Sequence, residues 1–188
     1  MSSPNRQITS DQAGKYFSKT VKSQFDSFYL NEINSVTVDS SGHSHNKLKF
    51  YASFKGTFAR EPYIDLVGCR NHRCDLTRLR ISASRVEMEV QRYQKNPPPI
   101  QQRICKYCDS GNIGDESHLL MFCKTFSTKR ACFFGKMSSI IPDFLKLSLE
   151  NQLKTILCPV SSTAVKLVNK YINILFKARD QLDHDADK

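Results

Sequence analysis

The stretch that decides the fold runs from Cys105 to Cys123 and reads Cys-Lys-Tyr-Cys-Asp-Ser-Gly-Asn-Ile-Gly-Asp-Glu-Ser-His-Leu-Leu-Met-Phe-Cys. Its cysteines and histidine follow the spacing C-x2-C-x9-H-x4-C. Zinc takes four such ligands in a tetrahedron, and two cysteines separated by two residues can place both sulfurs on one ion from a tight turn. Residues 109–115 hold two glycines and three Asp or Asn residues, which favour a chain reversal. The spacing therefore predicts a Zn²⁺ site with the ligands Cys105, Cys108, His118 and Cys123.

The second ligand pair poses a geometric problem. Residues five apart on an ideal α-helix lie about 140° apart around the axis, so His118 and Cys123 can face one ion only if the turn loosens. Cys132 is an alternative fourth ligand, and four reduced side chains in a helical core are the other interpretation of the segment. A weaker cluster has no fourth nearby ligand and is expected to hold packed or exposed thiols: Cys69, His72 and Cys74.

Apolar residues recur at helical spacing in most of the chain. The pattern predicts a mainly α protein, a small helical domain with a short zinc-bound turn or β-hairpin near residues 103–112. The triple proline 97–99 cannot continue a helix and is interpreted as a joint. The predicted organisation is a flexible N-terminus (1–10), a basic helical unit (11–96), a CCHC zinc-type segment (97–136), a C-terminal helical pair (137–182) and a frayed tail (183–188).

The charge of the chain is concentrated in its middle. The 188 residues include 28 Lys and Arg against 18 Asp and Glu, a formal net charge of +10. Residues 47–91 have a net charge of +4 and residues 92–136 a net charge of +5, so nine of the ten excess charges surround or precede the metal-ligand motif. A basic excess of this kind indicates a polyanionic partner, with nucleic acid ahead of an anionic membrane. We therefore predict binding of RNA or DNA.

A helix predicted from Leu79 to Val90 provides part of the basic surface. Its packing face holds Leu79, Ala83, Val86 and Val90, and three arginines seven residues apart form a second line around the axis. The predicted phosphate contacts are Arg78, Arg85, Arg92, Lys95, Arg103, Lys106, Lys124, Lys129 and Arg130, and the predicted base-stacking residues are Tyr93 and Tyr107. A solvated arginine face that pairs with neighbouring carboxylates is the alternative.

Three runs of this sequence resemble a known family. Residues 79–93 read LRISASRVEMEVQRY, residues 103–108 read RICKYC, and residues 115–123 read DESHLLMFC. Together they are similar to the C-terminal zinc-binding region of non-LTR retrotransposon (endonuclease–reverse transcriptase) proteins, which reads LRIS-x-H-x-L-x-IE-x-GRY, then R-x-C-x-x-C, then E-x-H-F-L-x-x-C. The resemblance covers roughly residues 45–135. Ser84 stands where that pattern has histidine, so any role of that histidine is absent here.

The resemblance implies the tail of such a protein without its polymerase, because the sequence has no Y/F-x-D-D motif. We therefore expect a non-catalytic nucleic-acid-binding module. A zinc-braced helical module that binds a protein partner is the alternative. A remnant restriction-like nuclease, built on Pro142-Asp143 and Glu150, is the less favoured one.

Two kinds of segment are missing from the sequence. No apolar run approaches the roughly 20 residues of a membrane span, and the first residues lack the apolar part of a secretory signal. We therefore expect an intracellular protein, nuclear or cytoplasmic and not secreted, with no membrane partner and with reduced cysteines.

Overall fold

The computed structural model describes residues 10–35, 37–38, 44–45, 48–55 and 59–186. The chain divides into two compact units, Met1–Ala59 and Arg60–Lys188. The first unit contains helix α1 (Ser10–Asn34), strands β1 (Thr37–Val38) and β2 (Ser44–His45), and helix α2 (Lys49–Ala52). The two strands are antiparallel, with Thr37 opposite His45. Residues 1–9 of the predicted flexible N-terminus lie outside the described residues.

The second unit contains six further helices in its described residues: α3 (Pro62–Leu66), α4 (Arg70–Arg80), α5 (Glu87–Val90), α6 (Ser127–Ile140), α7 (Leu149–Leu157) and α8 (Ser162–Ala186). Short 3₁₀ turns and one π-helical turn connect them. The fold is mainly α, as the sequence predicted. In the described ranges, no helix combines the length and the apolar character that crossing a bilayer requires.

Helix α8 forms the centre of the second unit, where α3, α4 and α6 pack against it. Its buried side chains follow helical spacing, so one continuous stripe faces the core. Tyr171 on this stripe stacks on Phe133 of α6, with ring centroids 4.1 Å apart and ring planes 5° apart. Leu76 and Leu79 of α4 are fully buried as well. Apolar burial between these helices is what orders the unit.

The helix predicted from Leu79 to Val90 is wrong as one continuous element. Helix α4 ends at Arg80, and Ser82 takes the left-handed conformation with φ +49°. The N–H of Ala83 donates to the carbonyl of Arg78 at 2.8 Å, and the N–H of Ser82 donates to that of Leu79 at 3.4 Å. These two bonds define a Schellman cap, whose left-handed residue is usually glycine. Because serine occupies this position, the sequence gives no signal that the helix ends here. The chain changes direction after Ser82, and Ala83 and Val90 are exposed as a result.

Ser82→Gly is expected to be more stable than Ser82→Ala by about 1 kcal/mol, because a left-handed residue with a Cβ costs roughly 1–2 kcal/mol and glycine loses part of that gain to chain entropy. Both variants remove the hydroxyl, so the comparison isolates the backbone. Urea unfolding followed by circular dichroism measures the difference. Equal stability of the two variants would show that the cap stores no strain.

Residues 183–186 of the predicted frayed tail are helical. Helix α8 continues to Ala186, because Asp183 accepts a hydrogen bond from the hydroxyl of Tyr107 at 2.9 Å and pairs with Lys106 at 2.6 Å. The triple proline also differs from its predicted role as a joint. It lies inside the second unit, and the carbonyl of Pro98 accepts a hydrogen bond from Arg103 at 3.0 Å.

Candidate metal centre

Four side chains of the second unit converge on one point. The sulfurs of Cys105, Cys108 and Cys123 and a ring nitrogen of His118 all lie within 4.8 Å of one another. The Cys105 and Cys123 sulfurs are 3.9 Å apart, and Nε2 of His118 is 3.4 Å from the Cys108 sulfur. In a tetrahedron with Zn–S and Zn–N bonds of about 2.3 and 2.0 Å, two sulfurs lie about 3.8 Å apart and a sulfur and a nitrogen about 3.5 Å. These two distances therefore match those around a tetrahedral metal ion, and the other pairs of ligand atoms lie within 4.8 Å.

A closed turn presents the first two ligands. Two backbone hydrogen bonds close it, from the N–H of Cys105 to the carbonyl of Asn112 at 2.9 Å and from the N–H of Gly114 to the carbonyl of Arg103 at 2.8 Å. Between them Ile104 and Ile113 form an isolated antiparallel bridge. The turn predicted near residues 103–112 is thus present, whereas this described segment contains a single bridge in place of hairpin strands.

The two glycines of the turn meet distinct steric demands. Gly111 has φ +67°, a left-handed conformation in which a side chain is strained. At Gly114 a Cβ atom would lie 2.7 Å from Oε2 of Glu87 and 3.1 Å from Cα of Cys105. Glycine therefore lets the turn both reverse and pack closely on α5.

A π-helical turn, His118–Phe122, presents the other two ligands. The N–H of Cys123 donates to the carbonyl of His118 at 2.7 Å, an i to i+5 bond. The wider turn brings the residue five positions after His118, which is Cys123, round to the same side of the helix as His118. An α-helix does not do this. Asp115 begins the segment by accepting a hydrogen bond from the N–H of His118 at 2.7 Å. The geometric problem posed by the H-x4-C spacing is solved by this loosening of the helix.

Backbone amides point at all three sulfurs. The N–H two residues further along donates in each case: that of Tyr107 to Cys105, that of Ser110 to Cys108, and that of Thr125 to Cys123. The Ser110 hydroxyl also lies 3.1 Å from the Cys108 sulfur. Hydrogen bonds to a charged group favour its ionised form. The loops are therefore arranged to stabilise negative charge on the sulfurs.

The protein on its own favours one thiolate. Burial raises the pKa of Cys105 to about 12 and also raises the pKa of Cys123. Burial opposes ionisation of Cys108 as well, but hydrogen bonds from Ser110 and His118 outweigh it and lower the pKa to about 6. Because metal ligands must be deprotonated, a cation at the centre is what would turn the two buried thiols into thiolates.

The site is joined to the core of the second unit. Leu119, Leu120 and Met121 of the π-helical turn are buried. The carbonyl of Leu120 accepts a hydrogen bond from the hydroxyl of Tyr171 on α8 at 2.8 Å. Arg130 of α6 donates to the carbonyl of Cys123 at 3.0 Å. Binding at the four ligands is thus coupled to the packing of α6 and α8.

The remaining cysteines take no part in a comparable cluster among the described residues. Cys132 is exposed and stands outside the ligand group, so it is not a fourth ligand in this structure. Cys69 is exposed and Cys74 half-buried, in keeping with the thiols expected there. Asp143, from the weak nuclease pattern, adopts φ +63° before a 3₁₀ turn and pairs with Lys146 at 2.7 Å. Among the described residues, it belongs to no cluster of three or more side chains that could hold a metal ion.

Carboxylates of the chain already pair with many of the predicted phosphate contacts. The pairs are Arg78 with Asp75 at 3.9 Å, Arg85 with Asp180 at 3.2 Å, Arg92 with Glu89 at 3.0 Å, Lys106 with Asp183 at 2.6 Å and Lys124 with Asp109 at 3.7 Å. The structure brings Arg85, Lys106 and Tyr107 to one cavity of about 300 Å³ beside α8. Lys95 and Lys129 are exposed elsewhere on the surface.

Two of the predicted contacts, Arg103 and Tyr107, are less accessible than expected, whereas Tyr93 is exposed. Arg103 is only 4% exposed and donates to the carbonyls of Pro98 and Met88. It therefore links two nearby segments of backbone. The prediction that Arg103 is an accessible phosphate contact is wrong. Tyr107 is half-buried with the guanidinium of Arg179 over its ring, 4.7 Å from the centroid. Tyr93 is 71% exposed and is the better placed of the two tyrosines to stack on a base.

No known protein family, curated protein or solved structure matches this chain. The likeness to retrotransposon tails therefore rests on the motifs in the sequence.

Sequence reasoning missed the acidic partners on α8, Asp180 and Asp183, and a row of lysines on the same helix, Lys166, Lys170 and Lys177. Asp180 falls in the predicted C-terminal helical pair and Asp183 in the predicted frayed tail, and only the packing of α8 brings them to the basic side chains. The lysines did carry a signal, since their spacing of four and then seven residues places them on one helical face.

Proposed function

We propose that the chain is a zinc-stabilised nucleic-acid-binding module without catalytic activity of its own. The observation that supports it best is the convergence of Cys105, Cys108, His118 and Cys123, whose ligand atoms all lie within 4.8 Å of one another. Three sulfurs and one imidazole suit Zn²⁺, and a set of four protein ligands leaves no open position for a reacting water, as in structural zinc sites. Zinc here would order the fold, and the residues around it would bind the partner.

The positive charge near the ligands supports nucleic acid as that partner. Lys106 lies between the first two ligands, and Lys124 directly follows Cys123. Their present ion pairs have exposed members on both sides, and exposed pairs contribute about 0–1 kcal/mol each. A phosphate can therefore replace the carboxylate at small cost. Tyr93 would add base stacking, which favours single strands.

The likeness to retrotransposon tails is in line with this proposal. We propose that this chain is related to such a tail. The Ser84 position departs from the pattern, and here the Ser84 hydroxyl donates to Oε1 of buried Glu116 at 3.2 Å.

Affinity for a fluorescein-labelled 20-nucleotide single strand, RNA or DNA, is expected to fall linearly with the logarithm of salt concentration. Lys95→Gln with Lys129→Gln should reduce the slope by about 1.4, because each phosphate contact on a single strand contributes about 0.7. Fluorescence anisotropy between 50 and 200 mM salt measures both. The matched control is Lys15→Gln with Lys19→Gln, two exposed lysines of α1.

An affinity indifferent to salt over this range would contradict nucleic-acid binding, and an equal effect of the α1 control would contradict the assigned residues. The alternative, a zinc-braced protein-interaction module, is favoured by the ion pairs that already neutralise much of the basic surface. Stoichiometric zinc together with no oligonucleotide binding at 50 mM salt would select that alternative.

A further inference from the structure

A second surface of the unit Arg60–Lys188 differs in chemistry from the basic region near the metal centre. A groove of about 580 Å³ lies between one side of α8 and the segment from Leu66 to His72. Leu66, Val67, Val165 and Ile174 give it an apolar lining. Ile174 is 38% exposed, so part of this lining is open to solvent. An exposed apolar surface with a charged rim is typical of a binding site.

Three lysines form the rim of the groove: Lys166, Lys170 and Lys177. Their spacing on α8 places them within an arc of about 40° and along about 16 Å of the axis. All three side chains are exposed. No Asp or Glu occurs among the described residues that line the groove. The row is therefore an uncompensated positive edge beside an apolar surface.

A buried acceptor lies in the same groove. Asn169 lines it and is 4% exposed, and its Oδ1 has no hydrogen-bond partner among the described residues. Buried polar atoms are nearly always paired, because leaving one unpaired costs the full desolvation of that atom. An occupant that brings a donor to this point would remove the cost.

We propose that the groove binds an acidic amphipathic helix of a protein partner. Apolar side chains of that helix would fill the groove, its carboxylates would pair with the lysine row, and a side-chain amide or hydroxyl would donate to Asn169. A length of about 16 Å matches three turns of such a helix. Helices that lay an apolar face into a groove are a common mode of peptide recognition. The proposal goes beyond the nucleic-acid function and does not depend on it.

The lining of the groove favours a peptide over a single-stranded nucleic acid. Neither Phe nor Tyr occurs among its described residues, and single strands rely on aromatic side chains on which bases stack. Aliphatic side chains such as half-buried Leu66 and exposed Ile174 suit the leucines of a helix instead. The lysines then act by charge complementarity, which selects acidic partners over basic ones.

The test uses a fluorescein-labelled 16-residue helical peptide of Ala, Leu and Glu, with Leu on one face and Glu on both flanks. Fluorescence anisotropy with the full chain is expected to show saturable binding at least tenfold tighter than that of the same peptide with Lys for Glu. Lys166→Glu with Lys170→Glu should weaken the affinity at least tenfold, and Ile174→Gln at least threefold. The matched control, Lys136→Glu with Lys154→Glu, changes the net charge equally on α6 and α7 and should change the affinity less than twofold.

Three outcomes would overturn the proposal. The first is that the Glu peptide shows no saturable binding, and the second is that the groove variants and the control variant weaken peptide affinity equally. The third is that the Lys166→Glu, Lys170→Glu protein loses more affinity for the oligonucleotide than for the peptide. The last would make the groove a nucleic-acid surface. A labelled 20-nucleotide strand measured with the same proteins separates failure here from failure of the proposed function, since the two rest on different residues.

Discussion

Replacing Cys105 and Cys108 together by serine is expected to remove the bound zinc completely, from one ion per chain in the natural protein to none. Inductively coupled plasma mass spectrometry on purified protein measures the metal. The physical reason is that serine hydroxyls do not ionise near neutral pH and bind zinc far more weakly than thiolates. Loss of two of the four converging ligands leaves Cys123 and His118, which are too few to hold a structural ion.

The same variant is expected to lose the cooperative unfolding of the second unit. Binding of structural zinc is worth about 10–16 kcal/mol in zinc-finger peptides, which equals or exceeds the roughly 5–15 kcal/mol of net stability of an ordinary domain. The ligand segment also contacts α6 through Arg130 and α8 through Tyr171, so its disorder would spread to the core. Near-ultraviolet circular dichroism and thermal unfolding measure this, and treating the natural protein with a chelator should reproduce it.

Cys69→Ser with Cys132→Ser is the matched control for the metal experiment. Both of these thiols are exposed and stand outside the ligand cluster. This variant should keep its zinc and change the free energy of unfolding by less than about 0.5 kcal/mol, as surface substitutions usually do. Absence of zinc from the natural protein, or its loss in the control, would contradict the assigned ligand set.

The convergence of the four candidate ligands could be predicted from sequence because their chemistry is local. All four lie within nineteen residues, and residue type and spacing alone restrict what such a cluster can do. The same spacing predicted that the helix must loosen between His118 and Cys123, but it did not specify a π-helical turn. Only the requirement that four atoms meet at one point selects the wider turn.

The error at Ser82 has a different cause. Periodicity from Leu79 to Val90 favours one helix, and serine at the left-handed position gives no warning of a Schellman cap. The change in chain direction buries Val86 and exposes Val90. Only two of the four residues of the predicted packing face, Leu79 and Val86, are therefore buried. Apolar periodicity indicated helix correctly in α4 and α5, but it wrongly predicted that the two form one continuous helix.

The sequence could not show which basic side chains are accessible to a partner. Arg103 was predicted as a phosphate contact, yet it lies buried against two carbonyls, whereas the lysines of α8 form an exposed row. Net charge along the chain cannot separate these cases, because burial and ion pairing depend on helices distant in sequence. Asp180 and Asp183 neutralise Arg85 and Lys106 from about 80 to 95 residues away.

A buried ion pair links Arg80 of α4 to Glu61, the residue that precedes α3. Arg80 is 1% exposed and pairs with Glu61 at 2.7 Å, and Glu61 is itself only 14% exposed. One guanidinium nitrogen of Arg80 also donates to the carbonyl of Leu157 and lies 3.4 Å from the sulfur of Cys158. The guanidinium stands over the ring of Tyr63, 5.0 Å from its centroid. Arg80 thus contacts two separate stretches of the chain, residues 61–63 and residues 157–158.

Arg80→Met is expected to lower the free energy of unfolding by about 3–5 kcal/mol, because removing one partner of a buried pair leaves an uncompensated charge in the interior. Methionine keeps much of the aliphatic volume, so the loss reports on the Glu61 carboxylate and the Leu157 carbonyl rather than on a cavity. Chemical denaturation followed by circular dichroism measures it. Adding Glu61→Gln to Arg80→Met should recover part of the lost free energy of unfolding, since the unpaired Glu61 charge is then removed.

The control is Arg60→Met, at an exposed pair with Asp65, which should lower the free energy of unfolding by no more than about 1 kcal/mol. Equal costs for Arg80→Met and Arg60→Met would show that burial adds nothing to the pair.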